Sequence, residues 1–343
     1  MTLAPFRSLL FLLSTVPLGL SASAQAPTSA QPLTIDAVVT DKSGSPLPGL
    51  SESDLTLLDN KARRPLTAFH PSSGKHTPVE VILVIDAVNT RFQNVAYERS
   101  EIDKFLHTNE GRLPYPTTLA VFTDTGTRIL PGFSTDGNVL STSLKNEAIG
   151  LRTLRRSSGF YGAEDRLNLS LTALRQLIAA ESPHPGRKLI VWISPGWPYL
   201  SGPNIQLDKK QQTGLFADVV SLSTQLRQNH ITLYSIDPVG PADSGFRTFY
   251  YRAFLKGVKK PTDTDLGDLS LQVLATQSGG LAVSGNSDIH GFLHRCLQDA
   301  DAFYELTFNP PPAEHPNEYH HLDLQVTQPG LTARTRDGYY IQP

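Results

Sequence analysis

Cysteine and methionine are almost absent from this chain. Of its 343 residues one is cysteine, Cys296, and one is methionine, Met1. A single cysteine excludes an internal disulfide framework and any CxxC zinc or redox motif. Excess charge of one sign is also lacking: 30 basic residues stand against 32 acidic ones, a formal net charge of −2. That balance argues against a nucleic-acid binder driven by bulk electrostatics, so no nucleic-acid partner is expected. Long apolar runs are confined to the start of the chain. Nothing after Leu20 approaches the roughly 20 residues of a spanning helix, and no transmembrane segment is expected in the mature chain. Several catalytic signatures are missing as well. The loop Asp86-Ala87-Val88-Asn89-Thr90-Arg91 has no glycine to let a pyrophosphate approach, and Walker, GxSxG and HExxH motifs are absent. An aspartyl phosphatase of the haloacid dehalogenase kind wants a second Asp where Val88 stands.

Proline is abundant, at 26 residues, about 8% against a usual value of about 5%. Arg7, the apolar run Leu9–Leu20 and Ala22-Ser23-Ala24 have the order of a secretory signal peptide, basic, apolar, then small residues at a cleavage site. Residues 1–24 are therefore expected to be removed and the protein exported, to the periplasm or the outside of the cell. Cys296 is expected to be a buried small hydrophobe, because Ile289, Phe292, Leu293, Cys296 and Ala300 recur at helical spacing.

Residues 25–32 read as a flexible leader. Residues 33–72 read as short strands around turns, too few to fold alone. The texture changes near Val79. Val81–Ile85, Leu189–Ile193 and Ile231–Ile236 are apolar runs of strands covered on both faces. Leu119–Phe122 and Thr127–Phe133 are further strands, and Asp136 can cap a short helix. Leu167, Leu171, Leu174, Leu177 and Ile178 mark a strong amphipathic helix. Alternating strands and helices over 78–301 predict a doubly wound, mostly parallel α/β sheet. Strands return over 302–343. They are expected to pair with 33–72 as a small discontinuous β-sandwich, with the α/β part inserted between.

Ligands of such sheets bind outside the carboxyl ends of the strands. Those ends carry Asp86, Asp124, Ser194 and Asp237. Converging oxygens there can hold a hard cation such as Mg²⁺ or Ca²⁺, or they can cap helices and tie loops. Both readings stay open at this stage. A second cluster, His315, Glu318, His320 and His321, has metal-ligand chemistry but lies in a proline-rich loop. Asn168-Leu169-Ser170 matches a glycosylation sequon inside a helix.

Several stretches, in order, resemble one family. They are "IDAVVTDKSGSPLPGLSESDLTLLDN", "VILVIDAVNTRFQNVAYERSEIDKFL", "LATQSGGLAVSGNSDIHGFLHRCLQDADAFYELTFNPP" and "GLTARTRDGYY". Together they look like the von Willebrand factor A (VWA) domain, and more narrowly the VWFA-related family of exported acidobacterial proteins. The resemblance implies a VWA-like fold that binds protein partners, often through a metal-ion-dependent adhesion site. That site is written DxSxS on the first loop, with a Thr on a second loop and an Asp after the fourth strand. Asp86 matches the first Asp and Thr90 can replace the second Ser. Val88 offers no oxygen, Tyr161 falls near the expected Thr, and Pro195 stands where the last Asp would be. The expected site is degenerate, with Asp86 and Thr90 as residual ligands and at most weak Mg²⁺ or other divalent-cation binding.

Two functions follow as expectations. One is a non-catalytic, adhesion-type interaction module, presenting Phe92, Tyr161, Trp197 and Tyr199 to a protein partner in the envelope or outside the cell. The other is a metal-assisted hydrolase using the carboxylates at the strand ends.

Overall fold

The protein is described by a computed structural model covering residues 31–73, 78–147, 160–198, 206–238 and 250–341, without the side chains of Phe92, Phe160 and Tyr161. The expected signal peptide and Tyr199 lie outside the described residues. Among those described, no helix is long and apolar enough to cross a membrane.

Four strands open the chain: Leu33–Thr40 (β1), Leu55–Asp59 (β2), Ala62–Arg64 (β3) and Leu66–Ser73 (β4). Val79–Asp86 (β5) then begins the α/β part, followed by helix Phe92–Leu106 (α1). Next come Arg112–Thr123 (β6), Gly126–Ile129 (β7), Ser134–Asp136 (β8) and Gly137–Asn146 (α2). Phe160–Glu181 (α3), Arg187–Ile193 (β9), Lys209–Gln228 (α4) and Ile231–Ile236 (β10) continue the alternation. Leu271–Gln277 (α5), Ala282–Val283 (β11) and Ile289–Gln298 (α6) close it. The last strands are Ala302–Phe308 (β12), Glu318–Val326 (β13), Thr332–Thr335 (β14) and Gly338–Ile341 (β15).

The large sheet runs β11-β10-β9-β5-β6-β7, with β8 on β6. It is parallel from β11 to β6, and β7 and β8 are antiparallel. The apolar run of β5 divides by alternation between two cores. Val81, Leu83 and Ile85 face α1, α2 and α6. Ile82 and Val84 face α3, α4 and α5. Helices on both faces explain why this strand has no polar side. Cys296 lies in the first of these cores, fully buried, and burial pushes its thiol far above the usual range.

The first and last segments form the sandwich. Its sheets are β14-β1-β12-β4 and β15-β13-β2-β3, all antiparallel, around Ile35, Leu57, Leu306 and Phe308. Alternation on β1 and β12 joins it to the α/β part. Ile35 and Leu306 point into the sandwich, whereas Val38 and Phe303 belong to the α/β core.

Two strand expectations are corrected. The stretch 127–133 is not one strand: β7 ends at Ile129 and β8 starts at Ser134, because Pro131-Gly132 breaks the ladder. Conversely, β6 begins seven residues before the expected Leu119. Pro114 and Pro116 precede Thr117, where pairing with β5 starts, so no ladder donor is lost there. Asp136 caps α2 as expected, accepting from Asn138 N at 2.9 Å.

Candidate functional site

The crest is the carboxyl end of the parallel strands. Asp86 ends β5 on the face shared with Val84, and Val84 is in register with Trp192 of β9. That register brings the Trp192 indole to the Asp86 carboxylate. Oδ2 accepts from Trp192 Nε1 at 3.0 Å and from Asn89 Nδ2 at 2.9 Å. Oδ1 accepts from the backbone N–H of Val88 at 2.9 Å and of Asn89 at 2.8 Å. Asp86 is fully buried. Burial raises its pKa, opposed by the hydrogen bonds from Asn89, Trp192 and Ser194.

An ionised carboxylate has about four lone-pair positions, all acceptors. Here four N–H groups take them, with the Ser194 hydroxyl also beside the carboxylate. Mg²⁺ needs near-octahedral oxygens and dehydrates reluctantly, yet Asp86 is filled by donors, Val88 brings a buried isopropyl group and Pro195 has no side-chain oxygen. The residues present do not fit the ion that the adhesion site would hold. Thr90 is buried at the same crest, where its hydroxyl interacts with the Glu98 carboxyl.

The second crest loop folds onto the sheet. Ser194 Oγ accepts from Gly196 N at 3.1 Å, and Gln272 Nε2 donates to Pro195 O at 3.4 Å. Gly196 has φ +97°, and a Cβ there would stand 2.2 Å from the Gln272 amide, so this turn requires glycine. The turn carries Trp197 inward. Its ring meets Trp192 edge-on at 5.3 Å, and Trp192 meets Phe122 edge-on at 5.7 Å. Trp197 is 1% exposed. Its assignment as an exposed partner anchor is corrected: it is core, because its ring packs on Trp192 within the apolar cluster of that face of the sheet. Backbones at Phe92 and Tyr161 lie in the first turns of α1 and α3. Their side chains lie outside the described set.

Two residues join the crest that the motif reading missed. Ser170 of α3 accepts from Asn89 Nδ2 at 2.9 Å and donates to Arg166 O at 2.7 Å, so the sequon serine is an internal tie. Glu98 of α1 is fully buried, with the Thr90 hydroxyl beside its carboxyl. Burial and then the like charge of Asp86 push its pKa well above the usual 4.5, opposed by the Thr90 hydroxyl and reinforced by Asp237. The direction of that shift favours the protonated form of Glu98 in the fold.

The unfolded chain releases this proton near 4.5, so the contribution is complete below that pH and is lost as pH rises toward the folded value. Glu98→Gln cannot ionise. Its unfolding free energy in urea is expected to fall less between about pH 5 and about pH 8 than that of the wild type. Equal pH slopes for the two proteins would contradict this assignment.

The histidine cluster resolves differently from a metal site. His320 is buried in the sandwich, its Nδ1 2.7 Å from Asp59 Oδ1. Tyr339 OH and Arg64 Nε donate to Asp59 Oδ2 at 2.9 and 3.1 Å. This knot joins β2, β3, β13 and β15 of one sheet.

A parallel sheet with an antiparallel edge, helices on both faces and an aspartate on the central strand's carboxyl end define a VWA-like α/β body. No family model and no curated protein matches the sequence. Solved structures similar to it include the human COPII-coat protein Sec24c, with TM-score 0.36, 9% identity, and 78% of this chain and 44% of that one covered. The pilus adhesin SpaC of Lactobacillus rhamnosus GG gives TM-score 0.37 and 9% identity over 86% of this chain and 49% of that one. The VWA domain of SpRpn10 gives TM-score 0.25 and 15% identity over 56% and 93%. The chain spans about half the length of the first two.

Proposed function

We propose that this protein is an exported, VWA-like interaction module that binds a protein partner without an adhesion-site metal. The observation that carries the reading is the Asp86 carboxylate, closed by four N–H donors at 2.8–3.0 Å. In a metal-dependent module that carboxylate has to face an ion. Here it organises the loop Ala87–Thr90 and ties it to β9 and α3. Such a crest presents a fixed surface, and recognition through it rests on direct contacts.

The supporting experiment is crosslinked capture from the native envelope and the culture medium, with and without added Mg²⁺ in metal-depleted buffer. A specific partner recovered equally in both conditions is expected. Recovery only with Mg²⁺, or nothing beyond an unrelated exported control, would contradict the proposal.

A further inference from the structure

The opposite pole of the sheet holds a cluster that the crest reading does not use. Glu80 is the second residue of β5, Glu181 ends α3, and His184 lies in the turn from α3 to β9. One carboxylate oxygen from each Glu and one imidazole nitrogen lie within 4.8 Å of one another. His184 Nδ1 is 3.1 Å from Glu181 Oε2 and 3.7 Å from Glu80 Oε2. Glu181 is almost fully buried, and Glu80 Oε2 is shielded from solvent with no hydrogen-bond partner among the described residues. Burial, with the like charge of Glu181, raises the Glu80 carboxyl.

The three ligand positions are held by rigid parts. His184 N donates to Glu181 O at 3.0 Å, and Pro183 and Pro185 flank it, which limits its backbone. Gly186, at φ +85°, passes so close to Pro78 that a Cβ would lie 2.4 Å from the Pro78 carbonyl oxygen. Arg187 N donates to that same oxygen at 3.1 Å, which fixes the turn against the start of β5. The Phe133 ring meets the imidazole edge-on at 6.1 Å. Lys188 is the neighbouring cation, and its Nζ is engaged by His184 O and Asn229 O.

From this geometry we propose that Glu80, Glu181 and His184 form a binding site for Zn²⁺ or a similar borderline divalent cation. A tetrahedral ion with bonds of about 2.0–2.2 Å sets its ligand atoms roughly 3.4 Å apart. The observed 3.1 and 3.7 Å bracket that spacing. Two carboxylates balance the charge of the ion, and one imidazole suits zinc over Mg²⁺ or Ca²⁺. His184 is half exposed, so the fourth position faces solvent and is open to water or an incoming carboxylate. The ion would clamp the end of α3 to the start of β5.

A second trio, Asp36, His230 and Glu305, is equally compact but is electrostatically different. Asp36 faces Arg187 and Arg336 as well as His230, and Lys188 also acts on His230. Two guanidinium groups thus act on Asp36, whereas Glu80 and Glu181 share the single charge of Lys188. This second trio is expected to remain a protein-only ion pair, His230 Nδ1 to Asp36 Oδ1 at 3.6 Å.

The test is calorimetric titration of the exported chain with Zn²⁺ after metal removal. Wild type is expected to bind one ion saturably. Glu80→Gln and His184→Ala are each expected to weaken binding by more than about 100-fold, above the 10–100-fold typical of losing only an outer-shell partner. The pair His290→Ala/His294→Ala, which removes the half-buried and the exposed histidine of α6, is expected to bind as wild type. Thermal melts in metal-free buffer identify any variant that fails to fold, and Glu80→Gln and His184→Ala check each other. Retained binding in both variants, loss only in the α6 pair, or no saturable binding by wild type would overturn the site.

Discussion

Trp192→Ala is expected to lower the unfolding free energy by about 3–5 kcal/mol, the largest effect of any single change at the crest. Trp192 is fully buried between Phe122 and Trp197, and truncation opens a cavity that neighbouring strands cannot close. Trp192→Phe separates the two roles of the side chain. It keeps most of the apolar volume and removes the N–H that reaches Asp86 at 3.0 Å, with part of the ring. That loss leaves a buried carboxylate short of a donor and is expected to cost about 1–3 kcal/mol. Urea denaturation checks both values. A phenylalanine variant as stable as wild type would mean that the indole N–H does not hold the crest.

Asp299→Ala is expected to cost about 3 kcal/mol, the lower end for breaking a buried pair, because Arg334 keeps some solvent access. Asp299 follows α6 and is 3% exposed. Its Oδ2 accepts from Tyr234 OH of β10 at 2.7 Å and from the Arg334 guanidinium of β14. Its backbone oxygen accepts from Arg187 Nη1 at 2.8 Å, and that guanidinium lies over the Phe303 ring at 4.5 Å. One residue thus ties the inserted α/β part to both outer strands that continue from it. Alanine strands the Tyr234 hydroxyl and the Arg334 charge together. Adding Arg334→Met is expected to recover part of the loss, since it removes the uncompensated cation. A change below about 1 kcal/mol, within the range of a surface pair, would show that this joint contributes little.

The fold class was legible because its signals are local. Apolar runs bounded by turn residues mark β5, β9 and β10, and the heptad-like leucines of α3 fix its buried face. The sandwich was legible only by elimination, since the strands on either side of the insertion needed partners. Within it, the switch from β14 to β15 was not readable. Residues 332–340 look like one strand, but Arg336-Asp337 turn the chain from one sheet into the other.

The site was half legible for a physical reason. Asp86 announces itself as the polar end of an apolar run. One of its side-chain donors lies on another strand, and only the register Val84 to Trp192 brings them together. Trp197 was misread because a Pro/Gly-rich loop suggests exposure, whereas the Ser194, Gly196 and Gln272 contacts fold that loop inward. Glu98 had a signal that composition hides: it falls between Val95 and Ile102, at steps of three and four, on the buried stripe of α1. A charged residue on an apolar stripe is the informative exception. Glu80, Glu181 and His184 come from separate elements, and no spacing in the sequence links the first to the other two.

The central claim is that Asp86 holds the crest together as a hydrogen-bonded anchor in place of an ion ligand. Calorimetric titration of Mg²⁺ into the purified protein tests it most directly, with Asp86→Asn alongside. No saturable binding up to roughly millimolar Mg²⁺ is expected in either protein. Saturable Mg²⁺ binding by wild type that disappears in Asp86→Asn would contradict the claim.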